Sequence, residues 1–188
     1  MTKCQVCGLP TQENTADYYV EDLTGIHVGL VNAAKIATCQ SCGEETVTIP
    51  DVEGLIAAAA VCRVMIPIKL NGAEIKFLRK VMEYSAKELS EILDVRPETF
   101  SRWENDKDQM PVLAEKVFRG LVGGFIKEGE VDKAPAVDYD RQAINLMNIT
   151  QLRLVSDQPL MNFERIKVKV EKKKQEAWDG TERIAIAA

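Results

Sequence analysis

The sequence lacks an apolar run long enough to cross a membrane. The longest candidate, residues 55–68, is interrupted by Arg63, and a membrane-spanning helix needs about 18 apolar residues. The first residues are also unlike a secretory signal, because no apolar core follows Lys3 and Cys4. These two absences predict a cytoplasmic protein without a membrane partner.

Histidine is nearly absent as well. His27 is the only one in the chain, and no paired acid and base motif accompanies it. A metal or redox enzyme would need such a group near an open metal position. We therefore expect no enzymatic activity, and we interpret His27 as a surface residue of a strand.

Positive charge is too scarce for a protein that coats nucleic acid, because the formal net charge is −5. Residues 1–70 hold 8 acids and 4 bases, residues 71–127 hold 10 of each, and residues 128–188 hold 11 acids and 10 bases. The middle of the chain is the least acidic part, yet it is not a basic patch. One copy would bind DNA weakly, and a dimer on two half-sites is the usual remedy.

Four of the five cysteines form two Cys-x-x-Cys pairs, each followed by glycine. The two-residue spacer lets both sulfurs of a pair face one ion, and Gly8 and Gly43 permit the tight turn that this requires. Four thiolates favour one structural Zn²⁺ per chain in tetrahedral geometry. Disulfides, a redox dithiol and an iron–sulfur cluster are the alternatives. The predicted ligands are Cys4, Cys7, Cys39 and Cys42.

Short strands are predicted between and after these pairs. They cover residues 17–20, 26–28, 34–38 and 45–49, with Gly25 and Gly29 as breakers. So few residues cannot bury a sufficient core alone, so the metal should supply much of the folding energy of this ribbon.

A helix is predicted from a cap at Asp51 to about Val64, ended by Pro67. We interpret Cys62 within it as a buried small apolar residue rather than a reactive thiol. This helix would connect the ribbon to the following domain.

The next helix has Asn71 and Glu74 at capping-box positions. Its predicted inner residues are Ile75, Leu78, Val81 and Met82, and its predicted outer residues are Lys76, Arg79 and Lys80. A later helix is predicted from Pro111 to about Val122 and is stopped by Gly123 and Gly124. Its predicted inner residues are Leu113, Val117, Phe118 and Leu121.

Residues 85–105 contain two short helices joined by a turn. Ser85 and Glu88 form a capping box, and Pro97 suits the first position of the second helix. The apolar residues at helical spacing that would share one seam are Leu89, Ile92, Leu93, Val95, Phe100 and Trp103. A helix-turn-helix is predicted, and a plain pair of bundle helices is the alternative.

The outer face of the second helix suits base edges and phosphates. The candidate DNA-binding residues are Arg96, Glu98, Thr99, Ser101, Arg102 and Asn105, with Lys87 of the preceding helix.

The predicted fold class is α+β. A zinc β-ribbon covers residues 1–50, a connecting helix 51–70, an all-α helix-turn-helix domain 71–126, a linker 127–137, and a small extension of mixed or β character 138–188. A strand is predicted over residues 163–170, followed by a basic triplet at 172–174 that is either a solvated end or a DNA contact.

Two motifs in this sequence resemble those of known families. The segment from Leu89 to Glu104 resembles the Cro/repressor-like (Xre) helix-turn-helix, with Ser90 where that family usually has alanine and Asp94 where it usually has glycine. A four-cysteine ribbon directly before such a segment is similar to the MqsA/YgiT-type zinc-finger family, over residues 1 to about 122.

This resemblance implies a homodimer that binds a palindromic operator in double-stranded DNA and reads bases through Arg102. Glu98 stands where the family has an amide side chain, and it could accept a hydrogen bond from cytosine instead. We therefore expect a sequence-specific transcriptional regulator, an autorepressor of its own operon. The alternative is an antitoxin that binds a toxin protein through its N-terminal domain and represses the operon.

Overall fold

The computed structural model describes residues 3–128, 160–170 and 173–183. These ranges form an α+β fold with seven strands and five helices. The strands are β1 (Thr11–Thr15), β2 (Tyr18–Asp22), β3 (His27–Val31), β4 (Lys35–Cys39), β5 (Glu45–Thr48), β6 (Leu160–Val170) and β7 (Lys173–Arg183). The helices are α1 (Val52–Met65), α2 (Gly72–Val81), α3 (Ala86–Ile92), α4 (Pro97–Glu104) and α5 (Val112–Glu128).

The five N-terminal strands are divided between two sheets. Strands β1, β4 and β5 form an antiparallel sheet in the order β1-β4-β5, and the second sheet has the order β2-β3-β6-β7. The four strands predicted in this region are confirmed, and β1 is an additional strand that was not predicted. Gly29 was predicted to break a strand, and this was wrong, because it is buried inside β3 and pairs with Val20.

The C-terminal strands belong to the second sheet. Strand β6 runs parallel to β3, with Val28 opposite Met161 and Val31 opposite Glu164. Strand β7 pairs antiparallel with β6 along its whole length. The predicted strand over 163–170 is thus confirmed, although its pairing with a strand about 130 residues earlier was not foreseen. The linker predicted over 127–137 was wrong at its start, because residues 127 and 128 belong to α5. Residues 129–159 and Lys172 lie outside the described residues.

Helix α1 begins as predicted. The Asp51 side chain accepts a hydrogen bond from the Gly54 N–H at 3.1 Å, and the chain becomes extended again at Ile66. Leu55 and Ala58 are fully buried, whereas Cys62 is only half-buried. No helix in the described ranges is long and apolar enough to pass through a membrane.

Helices α2 and α3 both begin with the predicted capping boxes, at Asn71 with Glu74 and at Ser85 with Glu88. Between α3 and α4, Asp94 has φ 52°, the left-handed conformation that asparagine, aspartate and glycine adopt most readily. Local sequence signals therefore set these helix ends.

The seam between α3 and α4 is built around two aromatic rings. Phe100 and Trp103 are buried and meet edge to face, with ring centroids 6.0 Å apart. Ser90 is also buried, and its hydroxyl donates to the Lys87 carbonyl oxygen at 2.7 Å. Ile92 was predicted to join the seam, but 48% of it is exposed.

Helix α5 differs most from expectation. It continues through Gly123 and Gly124 to Glu128 rather than stopping at the glycine pair. Leu113 and Val117 were predicted to face inward, and this was wrong, because they are 75% and 46% exposed. The buried side of the helix instead carries Glu115, Phe118, Arg119, Val122 and Ile126.

The reason for this rotation is Arg119, which is completely buried. Its Nη1 atom donates to the carbonyl oxygens of Val64 at 2.8 Å and Ile66 at 2.7 Å, and its Nη2 atom donates to that of Ile68. Glu115, one turn earlier, accepts from Arg119 at 2.9 Å and from the Leu70 N–H at 3.0 Å. Helix α5 therefore turns its ion pair toward the non-helical segment 66–70.

A second buried arginine binds the same segment from α1. Arg63 makes a bidentate pair with Glu74 at 2.6 and 2.8 Å and donates to the carbonyl oxygens of Ile68 and Lys69. Glu74 also accepts from the Asn71 N–H at 2.8 Å, which caps α2. The two arginines thus tie the end of α1, the segment 66–70 and the start of α2 to α5.

We predict that Arg119→Met strongly destabilises the protein. The change leaves the Glu115 carboxylate buried without its arginine and removes the donor to the carbonyl oxygens of Arg63 and Val64, and breaking a buried pair typically costs about 3–5 kcal/mol. Urea unfolding followed by circular dichroism measures the change. Arg102→Met is the matched control, because its side chain is 54% exposed, and an exposed pair contributes about 0–1 kcal/mol. Equal losses in both variants would contradict the prediction.

Candidate metal centre and nucleic-acid interface

The four paired cysteines come together at one end of the β1-β4-β5 sheet. Their sulfurs all lie within 4.8 Å of one another. The Sγ atoms of Cys4 and Cys42 are 3.6 Å apart, and those of Cys7 and Cys39 are 3.4 Å apart. His27 is exposed on β3 and is not part of this cluster.

Both cysteine pairs are held in the same kind of turn. The Gly8 N–H donates to the Cys4 carbonyl oxygen at 3.0 Å, and the Gly43 N–H donates to that of Cys39 at 2.9 Å. The two glycines have φ 74° and 75°, in the left-handed region that glycine adopts without strain. The matching turns explain why each cysteine pair is followed by glycine.

The turns aim backbone N–H groups at all four sulfurs. The N–H groups of Cys42 and Ser41 lower the pKa of the Cys39 thiol to about 6, and those of Cys7 and Val6 lower the pKa of Cys4. The Glu44 N–H acts in the same direction on Cys42, but the three neighbouring thiols outweigh it and raise the pKa of Cys42 to about 12. Four thiolates so close together repel one another, and a bound cation would stabilise them all. The cluster could therefore hold a metal ion.

The inner side of helix α4 is held by contacts with α5 and with the start of α2. Phe100 packs edge to face against Phe118 of α5, with ring centroids 6.5 Å apart. At its other end α4 meets the start of α2 so closely that a Cβ on Gly72 would lie 2.6 Å from the Glu104 carbonyl oxygen. The Gly72 N–H also donates to the Asp106 side chain at 2.6 Å. Helix α4 is thus held rigidly by its inner side.

The candidate DNA-binding residues lie on or beside the outer side of α4. Six of them are exposed, namely Lys87, Arg96, Glu98, Ser101, Arg102 and Asn105, and Thr99 is half-buried. At 100° per residue, Glu98, Ser101, Arg102 and Asn105 lie on the side of α4 opposite the buried Phe100 and Trp103.

Two of these side chains have partners that the sequence did not reveal. Arg102 forms an exposed ion pair with Asp108 in the loop after α4, with a second contact from Nη2 to Oδ1 at 3.2 Å. This contact raises the pKa of Arg102 and lowers that of Asp108. The Asn105 side chain donates to the Ser101 carbonyl oxygen at 2.6 Å.

Arg79 of α2 was predicted to face outward, and this was wrong. Its side chain is only 13% exposed and donates to Glu104 at 2.7 Å and to the Tyr84 carbonyl oxygen at 2.8 Å. Lys76 and Lys80 are exposed, as expected. Arg79 therefore anchors α4 to α2, a role that its spacing along α2 does not indicate.

Comparison with protein-family models, with curated proteins and with solved structures gave no match.

We predict that Cys39→Ser abolishes metal binding at this cluster. Serine has no thiolate to offer, and Cys39 is the more buried of the two buried cysteines whose sulfurs the backbone stabilises. Metal content per chain, measured by inductively coupled plasma mass spectrometry on protein purified without added metal, gives the result. Cys62→Ser is the control, because Cys62 lies in α1 outside the cluster. Equal metal content in both variants would exclude the site.

Proposed function

We propose that the four cysteines bind one structural Zn²⁺. A zinc–sulfur distance of about 2.3 Å places neighbouring sulfurs of a regular tetrahedron about 3.8 Å apart. The observed distances of 3.4 and 3.6 Å, and the limit of 4.8 Å for all pairs, match that spacing. Such distances favour one ion over a multinuclear iron–sulfur cluster, and they are too long for S–S bonds.

We further propose that the chain is a sequence-specific, double-stranded DNA-binding transcriptional regulator. The observation that carries this proposal is the two-sided character of α4. Phe100 and Trp103 anchor its inner side, while its outer side is polar and exposed. A rigid helix with a free polar face is the part that a helix-turn-helix protein places in the major groove.

Within this proposal Arg102 reads a guanine. Its guanidinium can donate to O6 and N7 together, and discrimination by such a contact is worth about 1–3 kcal/mol. Asp108 does not prevent this, because the ion pair is about half exposed and such pairs contribute little. Glu98 would accept from a cytosine amino group. Arg96, Thr99, Ser101 and Lys87 would contact phosphates, and Asn105 would complete the face.

Charge explains why we propose a homodimer on a palindromic operator. The region of α3 and α4, residues 87–108, holds seven acids and only four bases, namely Lys87, Arg96, Arg102 and Lys107. One copy would therefore gain little from phosphate contacts. Two copies double the contact area and match the twofold symmetry of an inverted repeat. Autorepression of its own operon is the regulatory role that we propose, as the resemblance to MqsA/YgiT-type regulators suggests.

An antitoxin is the second candidate, and the ribbon sheet favours it. Strand β5 lies at an edge of the β1-β4-β5 sheet, and all four of its residues are exposed. An exposed edge strand offers unpaired backbone groups to another protein. Co-purification of a small protein encoded beside this gene would support a toxin partner, and a chain that purifies alone next to no such gene would favour the plain regulator.

We predict that Arg102→Ala removes specific DNA binding. In mobility-shift assays with DNA from upstream of its own gene, the variant should lose about 10- to 100-fold in affinity, because the guanine contact and its discrimination are lost. Lys35→Ala, which removes an exposed base on β4, is the control and should bind normally. An unchanged shift with Arg102→Ala would count against the assignment.

A further inference from the structure

Helix α5 buries two charged side chains and exposes several large apolar ones. Glu115 and Arg119 are fully buried, whereas Leu113 is 75% and Val117 is 46% exposed. Within residues 112–126, Lys116 is the only other charged residue, and it is half-buried. A surface helix normally has the opposite arrangement, so the outer side of α5 is suited to contact with another apolar surface.

The outer side has a regular order along the helix. Large residues occupy its first half at Leu113 and Val117, and glycines occupy its second half at Gly120 and Gly124. All four lie within about 60° of one another around the helix axis, at 100° per residue. Val112 and Phe125 are 50% and 39% exposed as well, but each lies about 110° around the helix from the centre of this face.

We propose that this face pairs with the same face of a second copy, with the two α5 helices antiparallel about a twofold axis. Placing that axis midway between Gly120 and Val117 brings Val117 opposite the partner's Gly120. It also brings Leu113 opposite the partner's Gly124. Each large side chain on this face then meets a glycine, which is the self-complementarity that an isologous interface requires.

Gly124 shows why the occupant is a helix that approaches closely. Among the described residues, a Cβ built on Gly124 meets no atom within 4 Å outside the backbone of its own helix, so this part of the fold does not require glycine there. Glycine inside a helix is unfavourable relative to alanine. Close approach of a second backbone accounts for its presence. The low charge of the face also lets two chains of net charge −5 meet where they repel least.

This inference rests on the proposed function, because the purpose of the dimer would be to present two copies of α4 to two half-sites. The dimer itself is measured without DNA. A chain that dimerises through α5 yet binds no specific DNA would therefore disprove the regulator and leave the interface standing, whereas specific binding by a chain that dimerises elsewhere would do the reverse.

Sedimentation equilibrium of the full, metal-loaded chain tests the interface. We expect the wild type to be a dimer at about 10–100 µM, and Val117→Glu to raise the dimer dissociation constant at least about 100-fold, because a charge would be buried opposite glycine. Ile92→Glu is the matched control on α3, since Ile92 is 48% exposed, and it should leave the constant unchanged.

Gly124→Ala tests the interface with a substitution that should not destabilise the folded monomer. We expect it to raise the melting temperature of dilute, monomeric protein by about 1–4 °C, since alanine favours the helix, and to weaken the dimer about 10-fold or more. A wild-type monomer at about 100 µM would overturn the proposal. An unchanged dimer dissociation constant in both Val117→Glu and Gly124→Ala would also overturn it. If Val117→Glu instead lowered the stability of the monomer, the face would be assigned to a contact within the chain, and the proposal would again be wrong.

Discussion

Two buried arginines bind the carbonyl groups of the irregular segment between α1 and α2. The segment 66–70 connects α1 to α2 without helix or strand, and its carbonyl groups would be costly to bury unpaired. Arg63 and Arg119 donate to them from opposite helices, while Glu74 and Glu115 balance the two positive charges. Burial and the charge of Arg63 lower the pKa of Arg119, and Glu115 opposes that effect.

The position of the other elements follows from this network. Helix α1 contacts α2, α5, β6 and β7, so the segment that leaves it helps to set where the helices stand relative to the β2-β3-β6-β7 sheet. Helix α5 turns its ion pair inward, which presents Phe118 to Phe100 and supports α4 from beneath. The same rotation moves Leu113 and Val117 to the surface. The anchoring of α4 and the apolar outer face of α5 thus have one cause.

The signals for helix starts were reliable, because the caps at Asn71 and Ser85 depend on residues a few positions away. The glycine signals were not, because Gly29 lies inside β3 and α5 continues through Gly123 and Gly124. The inner face of α5 was misassigned because apolar spacing cannot recognise a buried ion pair whose acceptors lie about 50 residues earlier. The pairing of β3 with β6 and the ion pair of Arg102 with Asp108 likewise cannot be read from residue spacing in the sequence.

Selection of binding sites from a random double-stranded DNA library tests the central claim most directly. The zinc-loaded wild-type protein should enrich an inverted repeat whose half-sites are centred about 10–10.5 base pairs, or a multiple of that, apart, because two α4 helices would enter successive major grooves. A library that returns no common sequence after repeated rounds, with protein that is folded and metal-loaded, would contradict the account of this chain as a sequence-specific DNA-binding regulator.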